Sequence, residues 1–246
     1  RSNATIQGSG TLTTQGITTL NMASANSNLT LYGSRTWLNQ GTVNISGDDF
    51  INFSNTNGAP TLINVGTATV NLSGSRLEPF SGSGTFNNQG TLNQLSSNHT
   101  LSQIAFHNPG TVNVQAARLN LATTGTDTGP YNVDAGTTLE ISAGTRTLAP
   151  GSSITGSGTF LISGSGIATV NTPHSLTLGN LTLNGGELNG SGNVTITGPL
   201  NLTGGNTTIQ GSGTLTTQGI TTLNMASANS NLTLYGSRTW LNQGTV

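Results

Sequence analysis

Apolar residues recur along this chain as alternating pairs: Leu29/Leu31, Val43/Ile45, Val70/Leu72, Val112/Val114, Leu119/Leu121, Leu139/Ile141, Leu176/Leu178, Leu181/Leu183, Val194/Ile196 and Leu200/Leu202. A spacing of two is the strand period, which points alternate side chains to one face. Thr, a good strand residue, often fills the place between. Gly, Asn and Ser punctuate nearly every pair, as turn formers do. The pattern predicts short strands separated by tight turns throughout, with no convincing amphipathic helix. It argues against disorder, which low charge with much Gly, Asn, Ser and Thr would otherwise suggest.

The strands are organised by repeats. An apolar–polar stretch ending in Gly-Thr recurs in TWLNQGTV (36–43), TLINVGTA (61–68), TFNNQGTL (85–92), AFHNPGTV (105–112) and NVDAGTTL (132–139). Its glycines, Gly41, Gly66, Gly90, Gly110 and Gly136, stand 25, 24, 20 and 26 apart. A second phrase, GSGTL or GSGTF, begins at Gly8, Gly82, Gly156 and Gly211. A longer repeat encloses both: residues 5–43 match 208–246 at all 39 positions, at an offset of 203.

Short strands with Gly/Asn turns at a period of 20–26 residues mark a solenoid. A leucine-rich repeat needs a longer Leu/Asn consensus, and paired sandwich domains need longer strands with a repeat near 100 residues. The predicted fold is therefore all-β: one single-stranded parallel β-helix, three short strands per coil, with apolar pairs in a narrow core. Gly at the corners permits positive φ, and Asn can stack on the Asn of the next coil. At about 4.8 Å per coil, some nine coils per long unit span roughly 43 Å and the chain about 50 Å. Residues 1–4 read partly as a cloning scar, 5–207 as one full unit, and 208–246 as the start of the next. Identical sequence in similar surroundings predicts identical coils, related mainly by a shift along the axis. Trp37, Leu62, Phe86 and Phe106 hold equivalent places in the phrases and are predicted to be buried.

Composition narrows the function classes. Only 5% of residues are charged, the net charge is −1, and the six basic residues are all Arg. Nothing here neutralises a phosphate backbone, so nucleic acid is a poor partner. No apolar run approaches the roughly 18 residues of a membrane span, so membrane insertion of this segment is not expected. The absence of Cys excludes disulfides and thiolate metal sites, and the absence of Lys excludes Lys–Asn cross-links.

The Gly-Thr/Asn phrases, Thr–Leu alternation, scarce charge, missing Cys and near-identical tandem unit together resemble the repetitive passenger regions of large bacterial surface adhesins, of filamentous-haemagglutinin or autotransporter type. That resemblance implies a right-handed β-helix, export to the cell surface or beyond, and a role as stalk or adhesive fibre. The implied partners are neighbouring repeats of the same chain and a glycan or protein on another surface. Near-perfect copies also let length change by recombination.

Candidate chemistry is sparse, and neither a catalytic set nor a cofactor is expected. Asp48-Asp49 is the one adjacent acidic pair; neighbouring strand residues point to opposite faces, so it reads as a solvated turn and not a calcium site. Asp127 with Glu140 is the pair to test for a polysaccharide-active enzyme, which needs two converging carboxylates. His99, His107 and His174 read as surface or turn residues, without partners at metal-ligand spacing. The glycine-rich stretch around 164–166 precedes no helix and makes a poor phosphate cradle. Trp37, Tyr32 and Arg35, with the copy Trp240, are the candidates for stacking on a sugar or partner, although the place of Trp37 in its phrase favours the core. NxS/T sequons, Asn44 and Asn71 among them, are as numerous as chance gives in so Asn- and Thr-rich a chain. Abundant Thr also raises an ice-binding solenoid, against which the unequal coil lengths argue.

Overall fold

The computed structural model describes residues 3–22, 26–171, 173–225 and 229–246, and these form a parallel β-helix. Among the described residues, thirty-three strands, each of three to five residues, wind into eleven coils of three. Pairing is parallel and joins each strand to the third one on within six sheets, which succeed one another two to a face along three faces. It is interrupted between Phe80–Gly82 and His99–Leu101, between Ala105–His107 and Gly125–Asp127, and between Ser153–Thr155 and Ser175–Leu178. The first face starts at Ala4–Ile6, Asn28–Tyr32 and Phe50–Ser54. The second starts at Gly10–Thr14, Arg35–Asn39 and Thr61–Asn64. The third starts at Ile17–Leu20, Thr42–Ile45 and Thr69–Leu72.

All the alternating pairs point inward, and every member is buried. Trp37, Leu62, Phe86 and Phe106 stack as predicted along the second face, in register from coil to coil. Phe53, Phe80, Phe86 and Phe106 form a run of tilted ring contacts with centroids 6.3, 5.0 and 5.3 Å apart. Tilted rings at this spacing gain stabilisation beyond their area burial. Beside the rings, Asn39, Asn64, Asn88 and Asn108 are fully buried, and each amide nitrogen donates to the next amide oxygen at 2.8, 2.9 and 2.8 Å. Such a ladder satisfies polar groups that would otherwise be costly inside a narrow core.

Two expectations need correction. Coil lengths vary more than 20–26 residues, from 18 between Ser175 and Asn193 to 29 between Ile51 and Phe80. The extra residues lie in the corners, so strand register survives. The fifth phrase was also misplaced. The corner above Gly110 is formed by Gly129, where a Cβ would meet the Gly110 carbonyl at 1.8 Å, whereas Gly136 lies at the next corner, after Pro130–Val133. Of residues 1–4, the first two lie outside the described residues, and the other two join the first coil. Ala4 pairs with Leu29, and the Asn28 amide donates to the Asn3 side chain as the Asn231 amide does to Asn206.

The two identical segments repeat their strand pairing. Leu12 pairs with Trp37, and Leu215 with Trp240. They do not lie on the same faces, however. Gly10–Thr14 belongs to the second face and its copy, Thr214–Thr217, to the third. The copies are therefore related by the axial shift and a third of a turn.

Candidate functional site

Trp37 is 1% exposed, and its indole nitrogen donates to Thr14 Oγ1 at 2.9 Å. It is a core residue. Its copy Trp240 makes the same bond to Thr217 at 3.1 Å and is half-buried. Tyr32 and Arg35 are half-buried at the corner between the first and second faces. Tyr32 borders a groove of about 460 Å3 that also takes in Gln7, Ser9, Ser34, Thr56 and Asn57 across three coils. The lining is neutral and polar around a single aromatic ring.

Arg35 does not present its charge to this groove as a stacking plane. Its Nη2 donates to the Gln7 carbonyl at 2.5 Å, a coil below. The copy, Arg238, shows the complete arrangement: Nε donates to the Gln210 carbonyl at 2.7 Å, Nη2 to Gly190 at 2.5 Å and Nη1 to Gly192 at 3.4 Å. The planar fork of guanidinium suits such multiple bonding. Partial burial lowers the Arg238 pKa from its usual value. This arginine ties the corners of neighbouring coils together, with three carbonyl partners at Arg238 and one at Arg35.

Sequence reasoning missed the most concentrated chemistry in the molecule, which is inside. Arg146 and Asp127 are both fully buried on the second face and form an ion pair. Arg146 Nε donates to Asp127 Oδ2 at 3.1 Å, and Nη1 donates to the Phe106 carbonyl at 2.7 Å. Tyr131 Oη donates to Asp127 Oδ1 at 2.7 Å. The guanidinium also faces the Phe106 ring, 5.4 Å from its centroid. Room for it comes from Gly125 in the coil below, where a Cβ would stand 2.2 Å from Arg146 Nη1 and 2.0 Å from the Phe106 carbonyl. Burial, then the Asp127 charge, push the Tyr131 phenol well above its usual range; for Arg146, burial pulls the pKa down, and the Tyr131 oxygen and the Asp127 carboxylate together outweigh it and hold the pKa above its usual value. A signal was available: in Thr145-Arg146-Thr147-Leu148, Arg146 takes the inward place of the alternation.

Asp127 and Glu140 do not converge. Glu140 lies on the first face, where it pairs with Arg118 at 2.9 Å and accepts from Ser163 at 2.6 Å. Asp49 is no solvated turn residue: it is buried, and its carboxylate accepts the Met22 amide at 2.6 Å. His99 is also inside, with Nδ1 bonded to the Arg76 carbonyl at 2.8 Å; burial lowers its pKa. His107 and His174 stay near the surface, half-buried. Among the described residues, no group of three or more His, Cys, Asp or Glu is placed to hold a metal ion, and no helix is long and apolar enough to cross a membrane.

The third face carries an external ladder. Asn44, Asn71, Asn93, Asn113 and Asn132 point outward, their amides linked at 2.8–2.9 Å, and Thr155 Oγ1 donates to Asn132 at 2.9 Å. Thr42, Thr69, Thr91 and Thr111 form a parallel outward column. No strand of this face contains a charged residue. Unequal coils therefore do not break the ladder, because length variation is confined to corners. No protein-family model matches the chain, and comparison with curated proteins and solved structures finds no significant match.

Proposed function

We propose that this chain is a segment of a tandem-repeat fibre, a stalk with structural or adhesive duty in a large secreted or cell-surface bacterial protein. The observation that carries this reading is the duplication: 39 identical residues rebuild the same strand pairing at the far end of one continuous solenoid. Each unit stacks on the last by backbone pairing, so reach scales with copy number. Rigidity comes from the paired core, the Asn ladder and the arginine corner ties, since Lys–Asn and disulfide cross-links are chemically excluded. The test is immunogold electron microscopy of intact, unpermeabilised source cells with antibodies to this segment. Gold is expected outside the envelope, at a distance that shortens when units are deleted; label found only after permeabilisation refutes the reading.

A second reading, ice binding, draws on the charge-free Thr/Asn face, whose regularity removes the objection from unequal coils. Thermal hysteresis of the purified chain decides it: no measurable hysteresis excludes the reading.

A further inference from the structure

The first copy opens on the first strand, Ala4–Ile6, and the second on the twenty-ninth, Thr207–Ile209, so one unit comprises 28 strands. With three strands per coil, nine coils account for 27 of them and one strand is left over. The remainder is seen throughout the duplication. Ile17–Leu20 lies on the third face and its copy Thr221–Met225 on the first; Arg35–Asn39 lies on the second and Thr239–Asn242 on the third. Corners move likewise. The Gly8-Ser9-Gly10 turn joins first face to second, and its copy Gly211-Ser212-Gly213 joins second to third. The same turn type, opened by a glycine at φ of 107, 87, 100 and 106° at Gly8, Gly82, Gly156 and Gly211, serves all three corners. Backbone geometry therefore sets no barrier to the change of face.

We infer that repetition of this unit builds a screw fibre in which every unit advances about 45 Å, at about 4.8 Å per coil, and turns its surface by one face. This rests on the fibre reading above. A surface carried once per unit, such as the corner groove beside Tyr32, then points in three successive directions, and only every third copy faces the same way, about 135 Å apart at that rise. A unit of whole coils would instead line all copies along one edge, suited to a single extended partner. The third-turn remainder suits partners reached from every side, such as neighbouring fibres in a crowded layer.

The test uses the chain lengthened by two further 203-residue units, with Ser9→Cys and the same change at each copy. Ser9 is exposed and the chain has no other thiol, so each copy takes one maleimide–gold cluster. Electron microscopy should show four clusters at roughly 45 Å axial steps, changing side each time, with the fourth back in line with the first. Four clusters along one line overturn the inference. Helical averaging of the unlabelled chain is a second measure: a third-turn operator supports it, and a pure translation overturns it. Neither outcome depends on adhesion, so the fibre's biological role and its symmetry are tested apart.

Discussion

Replacing Asp127 by Asn tests what the interior cluster contributes. Asn is nearly isosteric and would extend the buried ladder of Asn39, Asn64, Asn88 and Asn108 by one rung. It would also leave the Arg146 guanidinium in the core without its counter-charge, with two bonds to the carboxylate weakened and the Tyr131 hydroxyl facing a neutral acceptor. Breaking a buried pair from one side typically costs about 3–5 kcal/mol. At roughly 3 kcal/mol per molar urea for a chain of this size, the unfolding midpoint should fall by about 1–1.7 M. Circular dichroism in urea gives the number, and native-state hydrogen exchange shows whether the central coils open first, as nearest-neighbour stability in a solenoid implies. Arg146→Met and the double variant complete a cycle. The double variant should be more stable than Asp127→Asn alone, because no unpaired charge remains. The reasoning fails if Asp127→Asn costs less than about 1 kcal/mol, or costs the same with and without Arg146.

Gly16 and Gly219 hold the same place in the duplicated sequence, yet a Cβ at Gly16 meets nothing within 4 Å and one at Gly219 meets the Gly198 carbonyl at 2.2 Å. Gly16→Ala should leave the melting temperature nearly unchanged, and Gly219→Ala should lower it clearly. Trp37→Ala should cost on the order of 3–5 kcal/mol, as for a buried aromatic, and Trp240→Ala markedly less; acrylamide should quench Trp240 fluorescence, isolated in Trp37→Phe, more strongly than Trp37 fluorescence, isolated in Trp240→Phe. His99 has a lowered pKa in the fold, so the unfolded chain takes up a proton first, near pH 6.5. The stability contributed by keeping it neutral is present above that pH and lost as pH falls through the folded value. His99→Gln should flatten the stability profile between pH 7 and 5, and an unchanged profile counts against the buried assignment.

The local code was legible because strand period and turn chemistry are properties of a few consecutive residues. Leu29/Leu31 or Val194/Ile196 face inward for reasons contained in their own alternation, and the recurring phrases fixed a three-stranded coil and the Trp37–Phe106 stack. What lies on top of what depends on counting strands across long stretches, and there the tertiary structure decided. Corners of different length hide the count, which is why the phrase spacing leads to Gly136 where the corner series belongs to Gly129, and why spacing alone puts the second copy on the faces of the first. The burial of charge was likewise undecided by local pattern. Arg146 can occupy an inward place only because Gly125, 21 residues earlier and one coil below, leaves a space, and because Asp127 and Tyr131 arrive beside it. Identical sequence does not even fix its own burial: Leu31 is fully buried and its copy Leu234 is 55% exposed. In a solenoid the strand is encoded locally, but its environment is supplied by the coils above and below.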